Sequence, residues 1–159
     1  MTKTKQKILL FLLLVFSLYC SLSIGRSWDE GYHLLLGKST FDYLFSFGRI
    51  NNDVFYGEFY SPIYWTLQYF ISKISLVKYQ IETIHLTNLI FSFATLFGIG
   101  KVCKELFNQK VSKIIFLILF FYPIFFGHMS FNPKDMFLAF GHVWIFYLIL
   151  RYLKKQNIR

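Results

Sequence analysis

Cysteine, proline, alanine and acidic residues are all scarce in this chain. The two cysteines, Cys20 and Cys103, cannot make a disulfide scaffold. No internal repeat or low-complexity linker breaks the sequence. Ala94 and Ala139 are the only alanines, whereas Phe, Ile, Lys, Asn and Tyr, the residues that AT-rich codons favour, abound. Charged residues make up 16% of the chain, against about 25% in an ordinary globular domain. Disorder is excluded, because it needs low hydrophobicity and this chain is 55% hydrophobic and 22% aromatic. A basic nucleic-acid module is excluded as well, since it would carry its charge on a polar surface that a mean hydropathy of +0.47 does not leave. No nucleic-acid partner is expected. What remains is an integral membrane protein whose formal charge of +9 has to be placed.

A charge at mid-bilayer costs at least about 2.5–3.5 kcal/mol, so spans are sought in uncharged runs. Four stand out: Ile8–Ile24, Thr83–Gly100, Ile114–Pro133 and Met136–Leu150. The first three hold 17, 18 and 20 residues, near the ~20 that cross ~30 Å of hydrocarbon. The fourth holds 15, and a snorkelling Arg151 would let Tyr152 and Leu153 extend it. The expected spans are 8–24, 83–103, 114–131 and 136–153, in a single membrane domain over residues 1–159. A fifth uncharged run, Phe59–Ser72, holds 14 residues, which suits an interfacial helix better than a span. Its Ile63, Leu67, Phe70 and Ile71, with Ile74 beyond, recur at helical spacing, and Gln68, Ser72 and Lys73 fall largely elsewhere on the wheel. That is the pattern of a helix lying on a membrane surface.

The charge balance gives an orientation. With four spans and a cytoplasmic N-terminus, the inner segments carry 11 basic residues and one acid, Glu105. The outer segments carry 6 basic and 7 acidic residues, so the charge divides into +10 inside and −1 outside. A fifth span at Phe59–Ser72 would turn the Lys101–Lys113 cluster outward, so that run is placed on the outer surface. The first run has a basic start but no small-x-small cleavage site before Arg26, so it is expected to stay as a span. Cys20 and Cys103 then lie near opposite faces, too far apart to pair. The fold class expected is an all-α membrane protein: about four transmembrane helices, plus amphipathic juxtamembrane helices in a long first outer loop. Both termini are expected in the cytoplasm, with the chain in the inner membrane if the cell is bacterial.

The first outer loop, residues 25–82, is too rich in Trp, Tyr, Phe and Leu for disorder and is expected to fold back as short helices. It opens Gly25-Arg-Ser-Trp-Asp-Glu-Gly-Tyr-His33. Two readings of that stretch stand side by side. In the first, Ser27 and Glu30 form a capping box, and Asp29 sits in a first helical turn where the dipole favours an acid. In the second, Asp29 and His33 are i,i+4 neighbours with Glu30 one residue round, and two carboxylates at a membrane surface serve as a general base or a cation site. The second outer loop, His128-Met-Ser-Phe-Asn-Pro-Lys-Asp135, reads as a helix start with Asn132 as N-cap, Pro133 at N1 and Asp135 at N3. By parity, Lys134 and Asp135 fall on the same membrane side as Asp29.

Taken in order, these residues resemble a known family. A short first span, the Asp29–Glu30 pair, a long aromatic loop with Tyr60-Ser-Pro62, and further spans ending in Asn132-Pro-Lys-Asp135 resemble the N-terminal part of the GT-C type multi-span glycosyltransferases. The likeness is to the protein mannosyltransferase and lipid A aminoarabinose transferase branch, and covers roughly Ile8 to Leu150. It implies an enzyme that moves a hexose or pentose from a polyprenyl-phosphate donor to an acceptor on the non-cytoplasmic face. It implies that Asp29 is the base that deprotonates the acceptor, that Glu30 is the second member of the pair, and that Asp135 helps build the same site. Lys134 is the candidate for facing the donor phosphate, and Tyr60 and His33 are further substrate-binding candidates. Some members use a divalent metal and others none, so the metal is left open, with His33 a candidate ligand.

The chain departs from the family in length. Family members are several times longer, and their remaining spans complete the donor groove. An incomplete GT-C module is therefore expected, with a complementary polypeptide as the partner that supplies the missing helices. Two other classes stay in view. One is a small non-enzymatic multi-pass protein, a transporter subunit or assembly partner, whose acids are helix caps. The other is an inactive truncated remnant. Only His85, His128 and His142 approach the membrane, which speaks against a channel or pump.

Overall fold

The computed structural model describes residues 3–50 and 62–156. Every regular element among the described residues is helical: α1 (Lys3–Ser23), α2 (Glu30–Phe45), α3 (Pro62–Ile74), a 3-10 turn (Val77–Tyr79), α4 (Gln80–Leu106), α5 (Gln109–Phe121), α6 (Pro123–Phe131) and α7 (Pro133–Gln156). Three stretches are long and apolar enough to cross a membrane: Thr4–Ser23, Val77–Leu106 and Pro133–Gln156. The pair α5 and α6 passes the same test together, bent by 71°, which makes three or four such helices. The surface agrees with a lipid solvent. Among the described residues the buried side chains comprise 13 polar and 11 hydrophobic residues, while Leu, Ile and Phe crowd the exposed positions of α1 and α7. A water-soluble domain sorts its residues the other way. In lipid, small and polar groups hold helices together because apolar side chains gain nothing by leaving the tails.

The run 114–131, expected as one span, is broken at Pro123. Proline lacks an N–H and its ring clashes with the carbonyl four residues back. It also pushes the preceding residue out of the helical region, and Tyr122 sits at φ −71°, ψ 115°. The Tyr122 N–H turns to the Leu119 carbonyl at 3.2 Å, and α6 restarts with Pro123 in its first turn.

The chain divides into two compact units, Met1–Thr87 and Asn88–Arg159, with the boundary inside α4. In the first unit α2 and α3 pack side by side. His33 stacks on Trp65, ring centroids 4.8 Å apart, and Phe41 meets Tyr69 edge-on at 5.6 Å. Between them Gly37 faces the Trp65 backbone so closely that any Cβ would collide with the Trp65 carbonyl. Residues 33, 37 and 41 of α2 thus meet 65 and 69 of α3 in rising order, so the two helices run parallel. The face of α3 turned inward carries Tyr64, Trp65, Gln68 and Ser72, while Ile63, Phe70 and Ile74 stay exposed. Burial pushes the Tyr64 phenol up from its ordinary value, against the opposing hydrogen bond to Gln68.

In the second unit Asn108 caps α5, its side-chain oxygen accepting from the Lys110 and Val111 N–H groups. Phe93 and Phe97 of α4 meet Phe120 and Phe116 of α5 in reversed order, so these helices are antiparallel. Along α7 the order is the same as in α4. Phe91 meets Phe137 and Phe140, Ala94 accepts a hydrogen bond from the Trp144 indole, and Glu105 pairs with Lys154. α4 and α7 therefore run parallel.

Candidate functional site

The first unit gathers four of the named residues around the start of α2. Chain leaving α1 passes through Gly25 and Arg26 and turns at Ser27–Asp29 before α2 begins at Glu30. The expected capping box is half made: the Ser27 N–H donates to Glu30 Oε2 at 2.7 Å. The Ser27 hydroxyl does not cap the helix and instead donates to Asp29 Oδ1 at 3.1 Å. Asp29 occupies the N-cap position and makes no side-chain cap. Its side chain is 58% exposed, with Oδ2 3.9 Å from His33 Nε2. The Arg26 guanidinium lies where a Cβ on Gly31 would be.

The two acids of the pair therefore have opposite surroundings. Asp29 opens to solvent, whereas Glu30 is 2% exposed and His85 0%. Glu30 Oε1 lies 2.6 Å from His85 Nε2, and His85 Nδ1 lies 3.2 Å from the Ser21 carbonyl. A carbonyl can only accept, so Nδ1 carries a hydrogen. An acid and a base thus face each other out of water, and that pairing makes burial tolerable, because an unpaired buried charge would not be.

His85 is the functional candidate that reading the sequence for carboxylates missed. It opens a polar stripe on α4: His85, Asn88, Ser92 and Thr95, spaced 3, 4 and 3 residues apart and all essentially inaccessible. Each of the first three serves an open helix end. His85 meets the Ser21 carbonyl in the last turn of α1. Asn88 donates to the Ser130 carbonyl at 2.7 Å and Ser92 to the Met129 carbonyl at 2.9 Å, both in the last turn of α6. Helix-end carbonyls have no partner within their own helix, and lipid supplies none. The 3-4-3 spacing was visible in the sequence and is the signal that would have found His85.

In the second unit Asn132 caps α7 as expected, accepting from the Asp135 N–H at 3.3 Å. Its amide nitrogen donates to Asp135 Oδ2 and to His128 Nδ1, each at 2.9 Å. Asp135 is exposed and Lys134 half-buried at this helix start. Tyr60 lies outside the described residues. Among the described residues no group of three or more His, Cys, Asp or Glu side chains is arranged to hold a metal ion. Comparison with protein families, curated proteins and solved structures finds no match to this chain.

Proposed function

We propose that this chain is the N-terminal membrane part of a GT-C type glycosyltransferase, moving a sugar from a polyprenyl-phosphate donor to an acceptor hydroxyl on the non-cytoplasmic face. Asp29 is the base and Asp135 a second acid of the site, with Lys134 serving the donor phosphate. One observation carries the reading: directly after the first long apolar helix, Asp29 presents an open carboxylate while its neighbour Glu30 is withdrawn into the protein. A general base must be ionised and within hydrogen-bond reach of the proton it takes. Asp29 bears on the second condition, because its side chain is open to solvent at the start of α2. As the acceptor oxygen bonds to the anomeric carbon, its proton passes to Asp29 and the carbon–phosphate oxygen bond breaks, releasing polyprenyl phosphate.

The topology that serves this chemistry has four spans and cytoplasmic termini. The parallel run of α4 and α7, with α5 antiparallel to α4, supports counting the bent α5–α6 pair as one crossing. On the charge count of the sequence, both the α1–α2 and the α6–α7 turns are assigned to the non-cytoplasmic side. The exposed aliphatic edge of α3 then lies in the interface plane, between the spans that flank it.

The test is transfer in membranes holding the chain and any polypeptide that co-purifies with it, with a panel of polyprenyl-phosphate hexoses and pentoses. Asp29→Asn is expected to lower turnover at least about 100-fold, the smaller end of what a general base contributes. Asp135→Asn is expected to lower it as well. Normal turnover in both variants sinks the reading. So does a chain that co-purifies with a partner yet neither transfers sugar nor binds polyprenyl phosphate, the behaviour of a non-enzymatic assembly subunit.

A further inference from the structure

We infer that Glu30 is a positioning residue rather than a reacting acid, and that His85 and Ser27 are the residues through which it orients Asp29. The inference rests on the glycosyltransferase reading for what Asp29 does, and on geometry alone for the relay. A reacting carboxylate needs an oxygen that substrate can reach. Glu30 has none, because Oε2 holds the Ser27 N–H, Oε1 holds His85 Nε2, and the residue is buried. Asp29 has one, because Oδ1 takes the Ser27 hydroxyl while Oδ2 is 3.9 Å from His33, beyond hydrogen-bond range.

These contacts form a chain with a direction. His85 is fixed on α4 and tied to the end of α1 by the Ser21 carbonyl. It holds Glu30, Glu30 holds the Ser27 backbone, and the Ser27 hydroxyl holds Asp29. The six residues between the two helices would otherwise be free to swing their acid across the interface. An ionisable pair this deeply buried beside long apolar helices is costly to keep, and such pairs mark function more often than stability. What this one accomplishes is to set the direction of a neighbouring, open carboxylate.

The relay separates Glu30→Gln from Glu30→Ala. A glutamine amide has the glutamate's shape, so its oxygen still accepts from Ser27 and its NH₂ donates to His85 Nε2. Glu30→Gln should therefore keep transfer within a few-fold of wild type. Glu30→Ala and His85→Ala should lower kcat on the order of 100-fold, the cost of misplacing a catalytic group by about 1 Å, with KM unchanged. Loss in Glu30→Gln equal to that in Asp29→Asn, in a chain that remains folded, would overturn the inference and give Glu30 the reacting role. A second measurement needs no turnover: ¹⁵N NMR of histidine-labelled chain in detergent. His85 should carry its fixed hydrogen on Nδ1, and its Nε2 signal should move in Glu30→Ala. A hydrogen fixed on Nε2 alone, or an Nε2 signal indifferent to Glu30→Ala, overturns the relay. If Asp29→Asn leaves transfer intact, Asp29 is not the base, while the NMR result still decides the relay.

Discussion

Each end of α4 carries an acid paired with a base at short range. Near its start His85 meets Glu30 at 2.6 Å, with side chains 0% and 2% exposed. In its last turn Glu105 meets Lys154 at 2.8 Å, with side chains 27% and 50% exposed. Lys154 also donates to the Glu105 backbone carbonyl. The distances hardly differ, and the surroundings differ completely. Water and salt reach the second pair and weaken each charge's need for the other. Around the first pair only protein groups are available. Removing one partner there strands a polar group, whereas removing one partner at the open end hands the survivor to solvent. Distance alone therefore says little about what a pair is worth, and burial decides it.

Substitutions can break this contrast, and their expected effects fall in a definite order. The largest is His85→Ala, which takes the imidazole from buried Glu30 Oε1 and from the Ser21 carbonyl. Breaking a buried pair in this way costs about 3–5 kcal/mol, read from chemical unfolding in detergent. Gly37→Ala should come next, because its Cβ meets the Trp65 carbonyl and either helix must shift. Overpacking of that kind costs about 1–3 kcal/mol and should be visible in the same unfolding curves. Asn88→Leu removes the donor to the Ser130 carbonyl, and polar contacts between membrane helices are worth about 0.6–2 kcal/mol. The smallest effect belongs to the open pair. Glu105→Gln should leave the unfolding midpoint unchanged within error, and any small shift should vanish in high salt. A large and salt-resistant loss there would erase the contrast.

The long helices were legible in the sequence because uncharged runs of the right length have few alternatives in a chain this apolar. The structure extends three of them by a few residues into charged flanks, to Lys3 in α1, Gln80 and Leu106 in α4, and Gln156 in α7. Asn132, Pro133 and Asp135 were legible as a helix start because capping is local chemistry. Pro123 carried a readable warning of the break between α5 and α6, which the uncharged run around it masked. Ser27 and Glu30 were read as a capping box, and only half of it formed, because the Ser27 hydroxyl turns to Asp29 while Glu30 has a second partner. That partner lies 55 residues away along the chain. No local pattern links positions 30 and 85, since the connection exists only once α2 folds back against the neighbouring helices. What the sequence did offer was the stripe His85, Asn88, Ser92 and Thr95, whose spacing marks a buried face without saying what it binds. The amphipathic character of α3 was legible too, but its sense depends on the solvent. Trp65 and Tyr69 pack on α2, while Ile63, Phe70 and Ile74 stay exposed.

Glu30 is held inside the protein by His85 while Asp29 stays open, and a double-mutant cycle tests that holding directly. Unfolding free energies are measured for wild type, Glu30→Ala, His85→Ala and the double variant, with the Glu105→Ala and Lys154→Ala set run beside them. The expected result is a coupling of about 0.5–3 kcal/mol between positions 30 and 85, the range for residues in direct contact, and a much smaller, salt-screened coupling between 105 and 154. Additive losses at 30 and 85 would contradict the account, because two residues that do not sense each other cannot fix the direction of Asp29.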